Sequence, residues 1–334
     1  MKKQPRNQII PIFFTFDRYY VLAACVAIHS LLKTASNQYQ YHLYVVHTGL
    51  QDRHQKRLQK VVNKFSNAKL FFKDSSCYDT YWDNYRNKAH FSKEIFYKLT
   101  AAEMFPEYDR ILFSDVDVIF KNDISESFFF YPEEKFYFAG TRSILESKIL
   151  SSYNKDFSPE ERAIISKYEI SAGYMLINTK ELRADNKQQA LMACFRQNAN
   201  RFILPEQDCI ALCCAPHIRF MPYKYVVCHH LFKYNPASLQ FNSYNDWDNE
   251  DKLQSYREML DQVIQLHYVG PNKPWNSPFV LKYKEWLKCC LNSEQFAYYL
   301  WTQPLFLVQR FKRYSLSRFI RKILRCLHII QSFI

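Results

Sequence analysis

Apolar runs of strand length alternate with helix-like segments through the first 120 residues, and this alternation constrains the fold more than any other feature. Such runs, bounded by polar residues, are typical of buried strands, and the segments between them have the length of helices. We predict strands at 9–16, 41–47, 68–72 and 110–120, and helices at 20–32, 51–65 and 92–104. Strands that alternate with helices form a mostly parallel sheet with helices on both faces, so the predicted fold class is α/β.

Two carboxylates mark the end of the fourth predicted strand, where Asp115 and Asp117 are flanked and separated by apolar residues. In a strand, residues i and i+2 point to the same side, so these side chains would face one point. Two like charges near a buried strand end repel each other, which predicts a cation between them. Oxygen ligands of this kind suit Mg²⁺ or Mn²⁺. The alternative is a solvated turn in which both aspartates only cap the next element.

A ligand crevice is expected at the carboxyl ends of the parallel strands, because ligands of open α/β sheets bind there. Asp17 and the pair Asp115 and Asp117 all follow predicted strands, so they can face one crevice. The chain has only 4 glycines and contains neither a GxGxxG nor a Walker motif. Dinucleotide-binding and P-loop sites therefore lack their main sequence support.

The second half of the chain has a less regular pattern. We predict strands at 136–140, 170–178 and 263–269, a helix at 182–201, and a short helix that begins near Leu204. Segments 141–167 and 238–250 are polar without clear periodicity, so both are predicted to be loops, the first a mobile loop over the site.

Positive charge is concentrated at the carboxyl-terminal end, where residues 281–334 carry +8 of the net charge of +13. Between 316 and 330, apolar residues recur at helical spacing with basic residues between them, a pattern typical of helices that lie in an anionic membrane interface. A helix packed on the body with its basic face in water is the alternative. The start of the chain is polar rather than a signal peptide, and 10 cysteines without such a signal predict a reduced, cytoplasmic protein.

Four motifs, in this order, resemble those of the family 8 glycosyltransferases, and the resemblance extends from about Ile9 to Trp275. They are an Asp-x-Asp at a strand end (115–117), an Ala-Gly-x-x-x-Ile-Asn strand (172–178), a Pro-Glu-Gln-Asp turn (205–208) and a His-x-x-Gly-x-x-Lys-Pro-Trp turn (267–275). The resemblance implies a retaining, metal-dependent enzyme that uses UDP-sugars, as do the bacterial galactosyl- and glucosyltransferases of lipopolysaccharide assembly. We therefore expect a single GT-A-type nucleotide-sugar-binding domain over 1–278 and a basic helical membrane-docking region over 279–334.

By position in these motifs, the resemblance implies that Asp115, Asp117 and His267 bind Mn²⁺, or Mg²⁺, which bridges the two phosphates of a UDP-hexose. Lys273 would contact the phosphates as a point charge. Gly270 would let the backbone approach the nucleotide closely.

The other expected site residues would contact the two ends of the donor. At the nucleotide end, Asp17 would hydrogen-bond the uracil, Tyr20 would stack on it, and Thr15 would line the same region. At the sugar end, the resemblance implies contacts from Lys98, Ala172, Glu206, Gln207 and Asp208. Of these, Lys98, Gln207 and Asp208 are the candidate catalytic residues.

Three positions depart from the usual pattern of the family. Lys98 stands where an arginine is usual, which removes a bidentate fork. Ser171 replaces a frequent asparagine, and Glu206 replaces a more usual aspartate. The choice between galactose and glucose as the donor sugar therefore stays open.

The predicted function is transfer of a hexose to a lipid-linked lipopolysaccharide or lipooligosaccharide acceptor, at the inner face of the cytoplasmic membrane. Two alternatives remain: a nucleic-acid-binding protein that uses the basic tail, and a non-catalytic relative that binds UDP-sugars. The body of the chain is nearly neutral and has no nucleic-acid-binding motif, so no nucleic-acid partner is expected.

Overall fold

The computed structural model describes residues 8–82, 93–143, 147–233 and 259–313, which form two sheets with helices packed against them. The helices are α1 (Val21–Thr34), α2 (Asp52–Val62), α3 (Ala101–Met104), α4 (Ser125–Phe128), α5 (Ser147–Asp156), α6 (Pro159–Tyr168), α7 (Thr179–Ala184), α8 (Lys187–Asn198), α9 (Pro205–Cys214), α10 (Tyr283–Asn292) and α11 (Phe296–Arg313). Short 3-10 helices span Arg18–Tyr20, Ser76–Tyr81, Lys93–Thr100, Tyr223–Tyr225 and His229–Lys233.

The central sheet has seven strands in the order β3-β2-β1-β4-β7-β6-β8. Their bounds are β1 (Gln8–Thr15), β2 (Tyr39–His47), β3 (Ala68–Asp74), β4 (Ile111–Ser114), β6 (Phe138–Arg142), β7 (Ile170–Ile177) and β8 (Ile218–Met221). All neighbours pair in parallel except β7, which runs antiparallel to both β4 and β6. The predicted α/β class with a mostly parallel sheet is confirmed.

A second sheet of three strands, which the sequence did not predict, has the order β5-β10-β9. Its strands are β5 (Val118–Phe120), β9 (Val227–Cys228) and β10 (Gln265–His267). The predicted continuous strand 110–120 is therefore wrong, because β4 and β5 belong to different sheets. The break falls at 115–117, where the two aspartates lie.

Helix α1 explains how the two sheets are held together. Its sequence is apolar on every side, and its residues 21–32 are buried, as expected for a helix enclosed by other elements. Its Ser30 hydroxyl donates to the Ala27 carbonyl at 2.8 Å and accepts the backbone N–H of Phe120 in β5 at 2.9 Å. A side chain of α1 thus replaces the strand neighbour that this N–H lacks.

The predicted mobile loop at 141–167 is also wrong, since α5 and α6 occupy most of it, with 144–146 outside the described residues. A capping box begins α6: the Ser158 hydroxyl accepts from the Glu161 N–H, and the Glu161 carboxylate accepts from the Ser158 N–H. Pro159 occupies the first turn. This start signal was present in the sequence and outweighs the weak apolar periodicity.

Three further predictions change in detail. The predicted helix 182–201 is divided into α7 and α8 by Asn186, which has a left-handed backbone with φ of +50°. The predicted helix 92–104 is a 3-10 helix that continues into α3, and its expected cap, Ser92, lies outside the described residues. The predicted loop at 238–250 also lies outside them.

Helices α10 and α11 pack on the rest of the fold through buried side chains that meet α1. Trp286 and Cys290 of α10 and Tyr299 of α11 join Val26 of α1 in one apolar cluster. The predicted amphipathic segment 316–330 lies outside the described residues, and the boundary at 278 stays a prediction. Among the described helices, none combines the length and the apolar character that crossing a bilayer requires.

We expect Ser30→Ala to destabilise the protein by about 1–3 kcal/mol, because the buried N–H of Phe120 would lose its acceptor. Chemical denaturation measures this change. The matched control is Ser66→Ala, which removes an exposed hydroxyl after α2. Equal stability of the two variants would contradict the role given to Ser30.

Candidate active site

The site begins where β4 ends, and the direction of β7 decides which residues meet there. Because β7 runs antiparallel to β4, its first residues lie beside the last residue of β4, and Ser114 pairs with Tyr174. The backbone N–H of Asp115 donates to the Gly173 carbonyl at 3.0 Å. The Ala-Gly motif is thereby placed against the first aspartate.

The second sheet brings His267 to the aspartates. His267 pairs with Val118 across the antiparallel β5–β10 ladder, and the Tyr268 N–H donates to the Asp117 carbonyl at 2.9 Å. His267 Nε2 lies 3.1 Å from Asp117 Oδ1 and 3.7 Å from Asp115 Oδ2. One ligand atom from each of the three side chains lies within 4.8 Å of the others.

A buried glutamine connects the two sheets directly behind this group. Gln265 Nε2 donates to Ser114 Oγ at 2.9 Å and to the Gly173 carbonyl at 3.3 Å. Gln265 and His267 are two residues apart on one strand, so they share a face of β10. Sequence reasoning missed Gln265, although this spacing was available as a signal.

The charges around the aspartates explain how two carboxylates are tolerated so close together. Burial raises the pKa of Asp115 above its usual value, and the Asp117 charge adds to the rise while Lys98 opposes it. Burial would also raise the pKa of Asp117, but the Lys273 ammonium and His267 outweigh it, so that this pKa lies below its usual range. Lys273 Nζ lies 2.5 Å from Asp117 Oδ2 and 2.6 Å from the Tyr268 carbonyl oxygen.

These three side chains fit a divalent cation. Two carboxylates and one imidazole form a mixed oxygen and nitrogen donor set that a divalent ion such as Mn²⁺ accepts. The convergent donors face one point at the carboxyl end of β4, where the fold class places its ligands. The structure thus brings Asp115 and Asp117 together with His267, which lies 150 residues after Asp117 in the sequence.

Gly173 makes this convergence possible. A Cβ atom on Gly173 would lie 2.7 Å from both Cε1 and Nδ1 of His267, and 3.4 Å from Asp115 Oδ2. Any side chain there would push the imidazole away. Gly270 lies in the turn after β10 and has φ of +84°, a backbone conformation that favours glycine.

Lys98 lies on the other side of Asp115 and is almost completely buried. Its ammonium is 3.1 Å from the Ala172 carbonyl oxygen, 3.3 Å from Glu206 Oε1 and 3.7 Å from Asp115 Oδ1. Its Nζ also lies 4.4 Å from the centre of the Phe113 ring. A buried cation between two carboxylates connects the start of α9 to the aspartate group.

The residues expected at the nucleotide end lie at the end of β1 and just after it. Thr15 is the last residue of β1 and is buried, and Asp17 accepts the Tyr19 N–H at 2.8 Å. The Tyr20 ring meets the Trp275 ring edge-on, with centroids 5.4 Å apart. Burial raises the pKa of Tyr20, and the charges of Asp117, Asp17 and Asp115 add to the rise, so this end adjoins the aspartate group.

At the start of α9, Gln207 contacts the site through its carboxamide oxygen. This oxygen accepts the Ala172 N–H at 3.2 Å and the Ser143 hydroxyl at 3.3 Å. The two donors, on β7 and just after β6, fix the orientation of the carboxamide. Ser143 was not predicted, because the predicted strand ends at 140 and Ser143 falls in the predicted loop 141–167.

Asp208 is held in place by three hydrogen bonds from the fold around it. Its carboxylate accepts the Tyr153 hydroxyl at 2.6 Å and the backbone N–H groups of Ile203 and Leu204 at 2.7 and 3.0 Å. Burial raises its pKa to about 6, against the effect of these hydrogen bonds. Burial and the charge of Asp208 together raise the pKa of Glu169. The role expected for Asp208 beneath the sugar stays a prediction.

Comparison with known proteins identifies the family of this fold and site. The family described as "Glycosyl transferase family 8" matches residues 11–278, which is most of the chain. This chain belongs to glycosyl transferase family 8. It is therefore a glycosyltransferase, and the resemblance seen in the four motifs is confirmed.

Three relatives of this family 8 glycosyltransferase share 16–20% of their sequence with it. The lipopolysaccharide glucosyltransferase WaaO of Escherichia coli (strain K12) is 20% identical over 284 residues, which are 82% of this chain and 75% of WaaO. The galactosyltransferase LgtC, solved with donor and acceptor sugar analogues, matches 85% of this chain and 96% of its own, with 16% identity and a TM-score of 0.64. The bifunctional glycosyltransferase WbbM has a TM-score of 0.69 with 19% identity over 90% of this chain, which spans about half of WbbM (53%). The structural matches establish a shared fold.

We expect Gly173→Ala to weaken Mn²⁺ binding by about 10- to 100-fold, because the new methyl group would displace the His267 imidazole. Isothermal titration with Mn²⁺ measures the affinity. Gly140→Ala is the matched control, since the three atoms nearest to its Cβ belong to the Ile170 side chain and the Ser171 carbonyl, at 3.2–3.3 Å, and none belongs to His267 or the aspartates. Unchanged Mn²⁺ affinity in Gly173→Ala would contradict the placement of His267.

Proposed function

We propose that this glycosyltransferase is a metal-dependent, retaining hexosyltransferase that moves glucose or galactose from a UDP-sugar to a lipopolysaccharide or lipooligosaccharide glycan. The observation that carries the proposal is the convergence of Asp115, Asp117 and His267, flanked on two sides by Lys273 and Lys98. The names of WaaO, a lipopolysaccharide glucosyltransferase, and LgtC, a galactosyltransferase, support the substrate class.

In this proposal, the uracil of the donor lies at the end of β1. Asp17 accepts a hydrogen bond from the base, and Tyr20 stacks on it with Trp275 supporting its edge. Thr15 lines the same region. Burial raises the pKa of Tyr20 and the charges of Asp117 and Asp115 raise it further, which supports one continuous site from base to diphosphate.

Breaking the bond between the anomeric carbon and the phosphate leaves negative charge on the diphosphate. Mn²⁺ or Mg²⁺ held by Asp115, Asp117 and His267 would stabilise that charge as a Lewis acid. The Lys273 ammonium, which lies beside Asp117, would also contact a phosphate oxygen. Gly270 allows the turn that carries Lys273 to approach the nucleotide.

The sugar would lie between β7 and the start of α9. Ala172 presents its backbone there, and Glu206 and Gln207 flank it. Lys98 keeps Glu206 near Asp115 through its contacts of 3.3 and 3.7 Å. Glu206 therefore reaches the hydroxyl groups of the donor from a fixed position, and this pair is where discrimination between glucose and galactose would arise.

Retention of configuration requires either a covalent intermediate or departure and attack on one face. We favour the second course: the acceptor hydroxyl attacks the anomeric carbon as the diphosphate leaves, and its proton passes to the departing phosphate oxygen. Asp208 supports this choice, because its carboxylate is held by three hydrogen bonds that a covalent bond to the sugar would disrupt. Asp208 would act on the sugar through its negative charge, and Gln207 would lie nearer to the sugar. A trapped glycosyl-Asp208 adduct would overturn this mechanism.

The acceptor is proposed to be a lipid-linked oligosaccharide at the inner face of the cytoplasmic membrane. The excess of +8 over residues 281–334 supports attraction to anionic lipid, so the protein would be cytoplasmic and peripheral on that membrane. Docking there would bring the site to an acceptor that cannot leave the bilayer.

We expect UDP-glucose or UDP-galactose to be hydrolysed slowly in the presence of Mn²⁺ and hardly at all with chelator, as measured by release of UDP without acceptor. Asp117→Asn should lower kcat/KM by on the order of 100-fold or more, because the cation and Lys273 would both lose a carboxylate partner.

The control is Asp109→Asn, which neutralises an exposed aspartate whose nearest cation is 3.9 Å away. Turnover that survives chelation, or equal loss in both variants, would refute the metal-dependent mechanism. Tight binding of UDP and Mn²⁺ with no turnover, even with a lipopolysaccharide acceptor, would instead indicate a non-catalytic relative.

A further inference from the structure

Helix α2 carries a row of basic side chains that the catalytic site does not use. The row follows the spacing i, i+3, i+4, i+7 and i+11, which places it along one side of the helix and its carboxyl-terminal extension. Its members are Arg53, Lys56, Arg57, Lys60 and Lys64. We call this set the α2 basic row.

The α2 basic row forms one wall of a cavity of about 320 Å³. The opposite wall comes from Glu294 and Gln295, in the turn between α10 and α11, and Val61 forms part of its floor. Arg57 Nη1 donates to Gln295 Oε1 at 3.2 Å, and Lys64 Nζ lies 2.8 Å from Glu294 Oε2. The cavity is thus a groove between α2 and the start of α11, braced at two points.

Positive charge in this groove exceeds what the protein itself neutralises. Glu294 is the one acid in the lining, against five cations. In the described part of the chain, no carboxylate lies within ion-pair distance of Arg53, Lys56 or Lys60. Like charges at i, i+4 destabilise a helix by about 0.2–0.5 kcal/mol per pair. A bound anion would relieve this repulsion.

An apolar rim adjoins the groove on α11. The Arg57 guanidinium lies 3.7 Å from the centre of the Tyr298 ring, which places Tyr298 at the edge of the groove. Trp301 is one turn further along α11 from Tyr298 and is 77% exposed, and its neighbour Leu300 is 53% exposed. An exposed tryptophan beside cations is typical of surfaces that enter the head-group region of a membrane.

We propose that the groove between α2 and α11 binds the phosphate of anionic phospholipid head groups, while Trp301 enters the interface beside them. The cations recognise phosphate as a class, and the exposed Trp301 and Leu300 favour a lipid over a free phosphate or a nucleic acid. The five cations of this site lie on α2 and just after it, outside the docking region predicted over 279–334, whereas Trp301 and Leu300 lie within that region. The site therefore adds contacts from the body of the protein to the docking predicted for the carboxyl-terminal end. It does not depend on the sugar donor, the acceptor or the metal.

Binding of the full chain to vesicles tests this proposal. The probes are vesicles of phosphatidylglycerol with phosphatidylcholine, vesicles of phosphatidylcholine alone, inorganic phosphate, and duplex DNA. The test variant is Lys56→Gln/Lys60→Gln, which removes two exposed charges from the groove. The matched control is Lys155→Gln/Lys180→Gln, which removes two exposed charges from α5 and α7.

We expect the groove variant to bind phosphatidylglycerol vesicles about 30-fold more weakly than the native chain, since each basic residue contributes about 1 kcal/mol at such a surface. The control variant should bind like the native chain, and phosphatidylcholine vesicles should bind both weakly. Trp301→Ala should lose the blue shift of tryptophan fluorescence that accompanies vesicle binding. Release of UDP from the donor should be unchanged in all three variants, which separates this site from the proposed function.

Three results would overturn the proposal. The first is equal binding of anionic vesicles by the groove variant and the control. The second is displacement of the native chain from vesicles by inorganic phosphate at matched phosphate concentration, which would assign the groove to free phosphate. The third is tighter binding of the native chain to duplex DNA than to vesicles, with loss of that binding in the groove variant, which would assign the groove to nucleic acid.

Discussion

Mutual repulsion between Asp115 and Asp117 is the physical constraint on which the rest of this structure depends. Two carboxylates that face one point in a partly buried position persist only if positive charge surrounds them. The chain supplies this charge from two directions, Lys98 beside Asp115 and Lys273 on Asp117. The imidazole of His267 lies against both carboxylates. The remaining space between the three ligand atoms is where a divalent cation fits.

The architecture explains how residues so distant in sequence reach this point. A fully parallel sheet would present only strand ends at its carboxyl edge, but β7 runs the other way and brings Ala172 and Gly173 to Asp115. The second sheet adds His267, and Gln265 fixes it to the first sheet through Ser114 and Gly173. One reversed strand and one small sheet thus convert a simple strand end into a site with donors on several sides.

The sequence predicted the elements formed by local pattern and the site residues that belong to motifs. Strands β1 to β3, helix α1 and the meeting of Asp115, Asp117 and His267 agree with the structure. The division of 110–120 between two sheets was not predictable, because it depends on pairing of β5 with β10 about 150 residues later. The hydrogen bond of Asp208 to Tyr153, which lies 55 residues earlier, was hidden for the same reason. By contrast, α6 was missed although its capping box is local, because periodicity was given more weight than the start signal.

The central claim is that one divalent cation is held by two aspartates and one histidine from separate sheets. A crystal structure with Mn²⁺ and UDP, examined by anomalous scattering at the manganese edge, tests it most directly. We expect one strong anomalous peak, bonded to Asp115, Asp117 and His267 and adjoining the diphosphate. A peak that lies elsewhere, or one whose ligands exclude His267, would contradict the account.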